Sequence, residues 1–144
     1  MTQNFLVRKM HVGEIDQCRE LWISAWNLSI PDRPRKNCVD FDTEIEKECV
    51  LVAVDEDVLV GFIAYLEAEA FIHHLYIHPS HQRKGVGSAL IEAMLVRTAS
   101  DRCWLKCHLI NRDALAFYKA KGFELIDEVG EDEYGMWVRM KWEQ

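Results

Sequence analysis

The stretch that most constrains this chain is Gln82-Arg83-Lys84-Gly85-Val86-Gly87, a polar loop with two glycines set between two apolar runs. The run before it, Phe71 to Ile77, reads as a strand and ends at Pro79. The run after it, Val86 to Ala99, is rich in alanine and leucine and reads as a helix. At the start of a helix the first backbone N–H groups have no internal partner, and the helix dipole adds partial positive charge there. Glycine lets the backbone come close to a ligand and adopt angles closed to other residues. Arg83 and Lys84 add two cations, and Ser88 follows in the first helical turn. The segment from Gln82 to Ser88 is therefore a candidate phosphate cradle.

Two common phosphate loops do not fit. The kinase-type loop requires G-x-x-x-x-G-K-[ST], which the chain lacks. The dinucleotide fingerprint requires a third Gly or Ala where Leu90 stands, and it belongs to the first strand–helix turn of its domain. A second motif follows about thirty residues on: Asn111-Arg112-Asp113-Ala114-Leu115-Ala116-Phe117-Tyr118, then Lys121-Gly122-Phe123. In order and spacing, Gln82-x-x-Gly85-x-Gly87 and this second motif resemble the paired signatures of the GNAT superfamily of acetyl-coenzyme-A-dependent N-acetyltransferases. The close resemblance covers Phe71 to Phe123; the first third of the chain fits only as a general layout.

The 144 residues suit one domain spanning 1–144, large enough to bury a core unaided. Seventeen basic and 24 acidic side chains give a net charge of −7, which argues against a broad nucleic-acid footprint. Five cysteines without a C-x-x-C point to reduced thiols and a cytoplasmic protein. No signal peptide or membrane span is expected.

Phe5 to Met10 reads as a first strand. Ile15, Cys18, Leu21, Trp22, Ala25 and Trp26 recur at helical spacing and form one apolar stripe. Asn27 to Val39 is a break carrying Arg33, Arg35 and Lys36, and Phe41, Ile45 and Cys49 suggest a short second helix. Val50–Val54, Val58–Leu66 and Phe71–Ile77 form an antiparallel meander, with a bulge expected at Gly61. Cys103 to Leu109 returns parallel to the strand before the loop. Glu124–Val129 and Met136–Trp142 are two last strands around a polar turn. The fold class is α/β: a GNAT-like, mixed and mostly antiparallel twisted sheet of six or seven strands flanked by helices.

The resemblance implies acetyl transfer from acetyl-coenzyme A to a primary amine by direct attack. Such a reaction needs a neutral amine, a held thioester and a stabilised leaving thiolate. The family's general acid matches Tyr118, whose phenol can donate a proton. Asn111 matches the residue that meets the coenzyme's pantetheine arm, and it can also cap the helix that follows. The backbone of Leu75, Tyr76 and Ile77 is expected to pair with that arm as a strand edge pairs with a peptide. The family's acidic base position matches His74, a competent base near neutral pH; Glu67, Glu69 and His108 are alternatives. His73 is expected on the opposite face of the strand. Histidines and cysteines are numerous, but no zinc spacing occurs and no metal is expected. Trp26 is expected in the core, bordering the acceptor site if it has a role.

The acceptor is a small-molecule amine or a peptide or protein amine, acted on by a monomer or homodimer with no nucleic-acid or membrane partner. Arg33, Arg35 and Lys36 suggest a carboxylate-bearing acceptor. The competing readings are a non-catalytic acyl-coenzyme-A-binding or sensor domain and an interaction module.

Overall fold

A computed structural model describes residues 5–31 and 39–144. Arg33, Arg35, Lys36 and Cys38 lie outside the described residues. Seven strands form a single mixed sheet: β1 (Leu6–Lys9), β2 (Cys49–Asp55), β3 (Val58–Leu66), β4 (Phe71–Ile77), β5 (Arg102–His108), β6 (Glu124–Asp132) and β7 (Gly135–Glu143). Their spatial order is β1-β2-β3-β4-β5-β7-β6, and every neighbouring pair is antiparallel except β4–β5. The parallel pair is the one joined through the glycine loop and a helix, as a crossover requires. The expected fold class is what the chain adopts.

Among the described residues, four α-helices cover the two faces. On one side lie α1 (Ile15–Ser29) and α2 (Val39–Ile45). The stripe read from the sequence is the face α1 buries, with Cys18, Leu21, Trp22, Ala25 and Trp26 all interior. Cys18, Leu21, Trp22, Phe41 and Ile45 meet Val50, Val52, Phe62 and Ala64 of the sheet. The expected break at Asn27 comes later, since α1 continues through Ser29. On the other side lie α3 (Val86–Thr98) and α4 (Arg112–Ala120). There Val86, Leu90, Ile91, Met94 and Tyr118 pack on Leu51, Ile63, Ile72, Cys103, Leu105 and Met140.

Two irregularities in the sheet re-aim side chains. In β3 the register slips so that Ala53 faces Gly61 while Val54 faces Leu59, leaving Val60 as the extra residue beside the glycine singled out from sequence. A Cβ on Gly61 would sit 2.9 Å from Ile77 Cδ1 and 3.3 Å from the Tyr76 carbonyl oxygen, so a side chain there requires the Ile77 end to move. In β4 the slip leaves His73 as the extra residue, with Ala64 facing His74 and Tyr65 facing Ile72. A bulge shifts the two-residue alternation of a strand by one. Ile72 before it and Leu75 and Ile77 after it therefore all pack on the α3–α4 core. The expectation that His73 and His74 face opposite ways is corrected here: their rings stack with centroids 4.3 Å apart.

Candidate active site

The parallel pair β4–β5 is joined at only two places, Phe71 with Trp104 and Ile72 with Leu105. Beyond Ile72 the two strands part. On the far side of each, β4 stays paired to β3 as far as Ile77, and β5 stays paired to β7 as far as His108. The result is a gap inside the sheet, bordered by the strand segment Leu75-Tyr76-Ile77.

A cavity of about 550 Å³ opens over this gap, lined by Leu75, Ile77, His81, Gln82, Arg83, Gly85, Val86, Gly87, Ser88, Asn111, Phe117 and Tyr118 among others. Its volume falls in the range of ordinary small-molecule sites. It brings together most of the binding residues expected from sequence; Tyr76 and Lys84 do not line it. Tyr76 turns to the opposite face, beside Trp22 and Phe62, and Lys84 is exposed on the loop.

The loop geometry explains its composition. Gly85 has φ +85° and occupies the N-cap position of α3, with open space around the place where a Cβ would stand. A side chain there would face a backbone cost of about 1–2 kcal/mol for the left-handed conformation. Gly87, which lines the cavity, also has a packing reason to be glycine. A Cβ there would lie 2.9 Å from Phe117 Cζ, so this glycine lets α4 pack against the first turn of α3. The side-chain amide of Gln82 donates to the Ile77 carbonyl at 3.3 Å, tying the loop to the end of β4. His81 Nε2 lies 2.7 Å from Asp55 Oδ2, and Ser80 Oγ lies 2.7 Å from both His81 Nδ1 and His78 Nδ1. This chain anchors the loop to the β2–β3 turn, and sequence spacing could not have disclosed it.

Asn111 caps α4, its Oδ1 accepting from the Ala114 N–H at 3.4 Å. Its side-chain NH₂ is not used by the cap, so one residue can end the strand, start the helix and still face the cavity. Seven residues on, Tyr118 is 8% exposed, wedged between Phe117 and Phe123 with both ring centroids at 5.4 Å. Burial, with a smaller contribution from Cys107, pushes its phenol well above the usual value of 10. The hydroxyl is thus protonated at neutral pH and has a proton to donate. Burial also pushes the Cys103 and Cys107 thiols up to about 12. They are apolar packing, not nucleophiles.

The gap is open toward the other face of the sheet as well. A smaller cavity of about 60 Å³ there is lined by Trp26, Ile72, His73, Leu75, Tyr76, Leu105, Lys106, Cys107, His108, Asn111, Ala114 and Tyr118. Leu75, Asn111, Ala114 and Tyr118 border both cavities, so Tyr118 stands at the partition between them. Trp26 is 2% exposed and packs edge-on against His108 and Tyr134, with centroids at 5.4 and 5.2 Å. His108 Nε2 lies 2.9 Å from both carboxylate oxygens of Asp132. The β6–β7 turn that carries Tyr134 thus reaches the helix end at Trp26.

The expected base, His74, borders neither cavity among the described residues. It is 5% exposed within an aromatic group of Trp22, Phe41, Phe62 and Tyr76, with Trp22 nearest at 4.8 Å between centroids. The bulge brings His73 to the smaller cavity instead, its Nδ1 in contact with Glu48 Oε1. Of the alternatives, Glu67 and Glu69 form a short 3₁₀ turn between β3 and β4 and border neither cavity, whereas His108 borders the smaller one. The sequence did hold a signal for the bulge. Ile72 and Leu75 are both apolar at odd spacing, and one face of a regular strand cannot bury both.

Comparison with known proteins gives the same reading. The chain is 24% identical over 144 residues to the peptidyl-lysine N-acetyltransferase YiaC of Escherichia coli (strain K12), covering 95% of this chain and 96% of that one. A GCN5-related N-acetyltransferase from Rhodopseudomonas palustris shares its fold with a TM-score of 0.81 at 15% identity, over 100% of this chain and 98% of the other. The PaiA N-acetyltransferase of Thermoplasma acidophilum, solved in complex with coenzyme A, has a TM-score of 0.80 at 18% identity, over 99% and 100% of the two chains. The model of the acetyltransferase (GNAT) family matches residues 15–123, which include the meander, the glycine loop, the gap and the Asn111–Tyr118 helix: the chain belongs to the GNAT acetyltransferase family.

Proposed function

We propose that the protein transfers the acetyl group of acetyl-coenzyme A to a primary amine by direct attack, with a lysine side chain of a peptide or protein as the first acceptor class to try. The observation that carries this is the gap between β4 and β5, with Tyr118 at the partition of the two cavities that meet there. A non-catalytic coenzyme-binding domain would need the large cavity and the loop. It would not need a second cavity behind a buried phenol.

The residues present fit the coenzyme. The α3 N-terminus with Arg83 and Lys84 suits its phosphates, and the backbone of Leu75 to Ile77 with Asn111 suits its amide-bearing arm. Bound there, acetyl-coenzyme A supplies an activated acetyl thioester. Tyr118 Oη then holds the proton that the departing sulfur requires. On the other side, His73 is the base the geometry favours, its ring oriented by Glu48, whose side chain is 2% exposed. His74, stacked on it, is the runner-up and would act through His73 or water. Glu131, Asp132 and Glu133 form an acidic run at the β6–β7 turn beside Trp26 and His108, which favours a cationic acceptor by long-range attraction. One curated relative is named for peptidyl-lysine.

The test is release of free coenzyme thiol from acetyl-coenzyme A against a panel of lysine peptides, small amines and carboxylate-bearing amines. Turnover with at least one amine, lost in Tyr118→Phe, is expected. Tight coenzyme binding with no turnover on any amine would reduce the protein to a coenzyme-binding domain.

A further inference from the structure

The carboxylate of Glu48 sits in the bend just before β2, and its side chain is 2% exposed. One oxygen, Oε1, meets His73 Nδ1. The other, Oε2, is buried and has no hydrogen-bond partner. A buried carboxylate oxygen without a partner is costly, and the ordinary remedies are a proton or a cation. The β4 bulge has placed two imidazoles against this group: His73, whose side chain is 38% exposed, and His74, 5% exposed. One donor atom from each of Glu48, His73 and His74 lies within 4.8 Å of the others.

We propose that Glu48, His73 and His74 form a binding site for a divalent transition metal of the zinc type. Two neutral imidazole nitrogens and one carboxylate are the donor set such ions take, with a fourth position left to water. Metal–nitrogen and metal–oxygen bonds of about 2.0–2.2 Å place tetrahedral donors a little over 3 Å apart. The present spacings reach at most 4.8 Å, with His73 already against Glu48, so rotation of the half-exposed His73 ring can bring the donors to that geometry. His73 also gives the ion its route in, because it borders the smaller cavity. The spacing rules of zinc motifs do not see this site, since Glu48 is twenty-five residues from His73 in sequence and the two histidines are adjacent.

The site has a consequence for activity that rests on the proposed function. An ion on the His73 nitrogen that now meets Glu48 leaves the proton on the other ring nitrogen, so the ring can no longer accept the amine proton and the ion is an inhibitor.

The test begins without any reaction. Protein stripped with a chelator is titrated with zinc chloride against a chromophoric competitor, and with cobalt chloride followed by visible absorption. One saturable equivalent of zinc and visible cobalt bands are expected. Glu48→Gln, His73→Asn and His74→Asn should each weaken zinc by at least the roughly 10- to 100-fold that loss of an outer partner of a metal ligand already costs. Coenzyme A binding measured on the same variants shows that each is folded. Absence of saturable zinc binding overturns the proposal, as does an affinity that the three variants leave unchanged or one that falls instead with His81→Asn. Zinc binding in a protein that acetylates nothing sinks the proposed function alone; acetyl transfer without zinc binding sinks the metal site alone. Where both hold, zinc should slow transfer and a chelator restore it.

Discussion

On the α3–α4 side of the sheet, the large cavity is made mostly of backbone: the N–H groups of a helix start, a glycine at positive φ, and a strand edge left without a neighbour. On the α1–α2 side, the small cavity is made of side chains: Trp26, His73, Tyr76 and His108, each aimed by a bulge, an aromatic neighbour or a carboxylate. Backbone sites depend on chain geometry, which leaves a mark as glycines at fixed spacing. Side-chain sites depend on where tertiary packing turns a ring, which leaves almost none. The first kind suits a co-substrate that does not vary; the second suits an acceptor that does.

The contrast can be tested by mutation. The largest effect should come from Gly85→Val. It forces a β-branched residue into a left-handed conformation at the loop while nothing crowds the new side chain, so coenzyme binding should vanish in calorimetry while the unfolding transition survives. Unchanged affinity would mean the loop backbone is not the phosphate site. Next, Tyr118→Phe keeps the ring and its packing and removes one hydroxyl. It should leave coenzyme Kd nearly unchanged and lower kcat roughly 10- to 1000-fold, the range of general-acid catalysis less what solvent supplies. Wild-type kcat, measured where chemistry limits the rate, would return Tyr118 to the core.

The pair His73 and His74 sharpens the comparison within one face. His73→Asn keeps an amide donor for Glu48 and should lower kcat roughly 10- to 100-fold, the lower end of general-base effects. His74→Ala removes a ring from the aromatic group around Trp22 and Phe41, and should cost about 1–3 kcal/mol in urea unfolding. If instead His74→Ala abolishes turnover in a fully folded protein, the base is the one the family's position indicates.

The smallest effect is electrostatic and lies at the edge of the α1–α2 side. Arg8 holds Glu14 with two bonds of 2.9 Å, and this lowers the Glu14 carboxyl to about 2. A depressed carboxyl stabilises the fold above its unfolded pKa and loses that contribution as pH falls toward the folded value. Wild type and Glu14→Gln should therefore differ in melting temperature at pH 6 and converge as pH approaches 2. A constant difference across that range would show that the pair's charge is not what matters.

Much of this molecule was legible before any coordinates. The meander, the crossover, the apolar stripe of α1 and the caps of α3 and α4 follow from periodicity and from glycine and asparagine at helix ends. The large cavity was legible because most of its residues fall in two runs along the chain. The smaller cavity was not. Asp132 with His108 and Glu48 with His73 join residues more than twenty apart, as Asp55 does with His81 beside the glycine loop, and no local pattern reports them. The expected separation of His73 from His74 failed for a narrower reason. Strict alternation was assumed through a strand in which one bulge resets the parity, and that reset brought His73 to the smaller cavity in place of its neighbour.

The two-residue junction of β4 with β5 also bears on how the protein holds together in the absence of a ligand. Strands β1 to β4 form one hydrogen-bonded block and β5 to β7 another, and between them the sheet is nearly cut. Such blocks can open as separate cooperative units, and amides along an unpaired border exchange with solvent faster than those in an intact ladder. A coenzyme lying in the cut would act as the missing rung of the sheet. At a ligand concentration of 100 times Kd, mass action alone adds about 2.7 kcal/mol to stability. In hydrogen exchange that gain should appear as slowed exchange in both blocks at once, strongest at Leu75 to Ile77, making the amides of the seam a meter of occupancy that needs no knowledge of the acceptor.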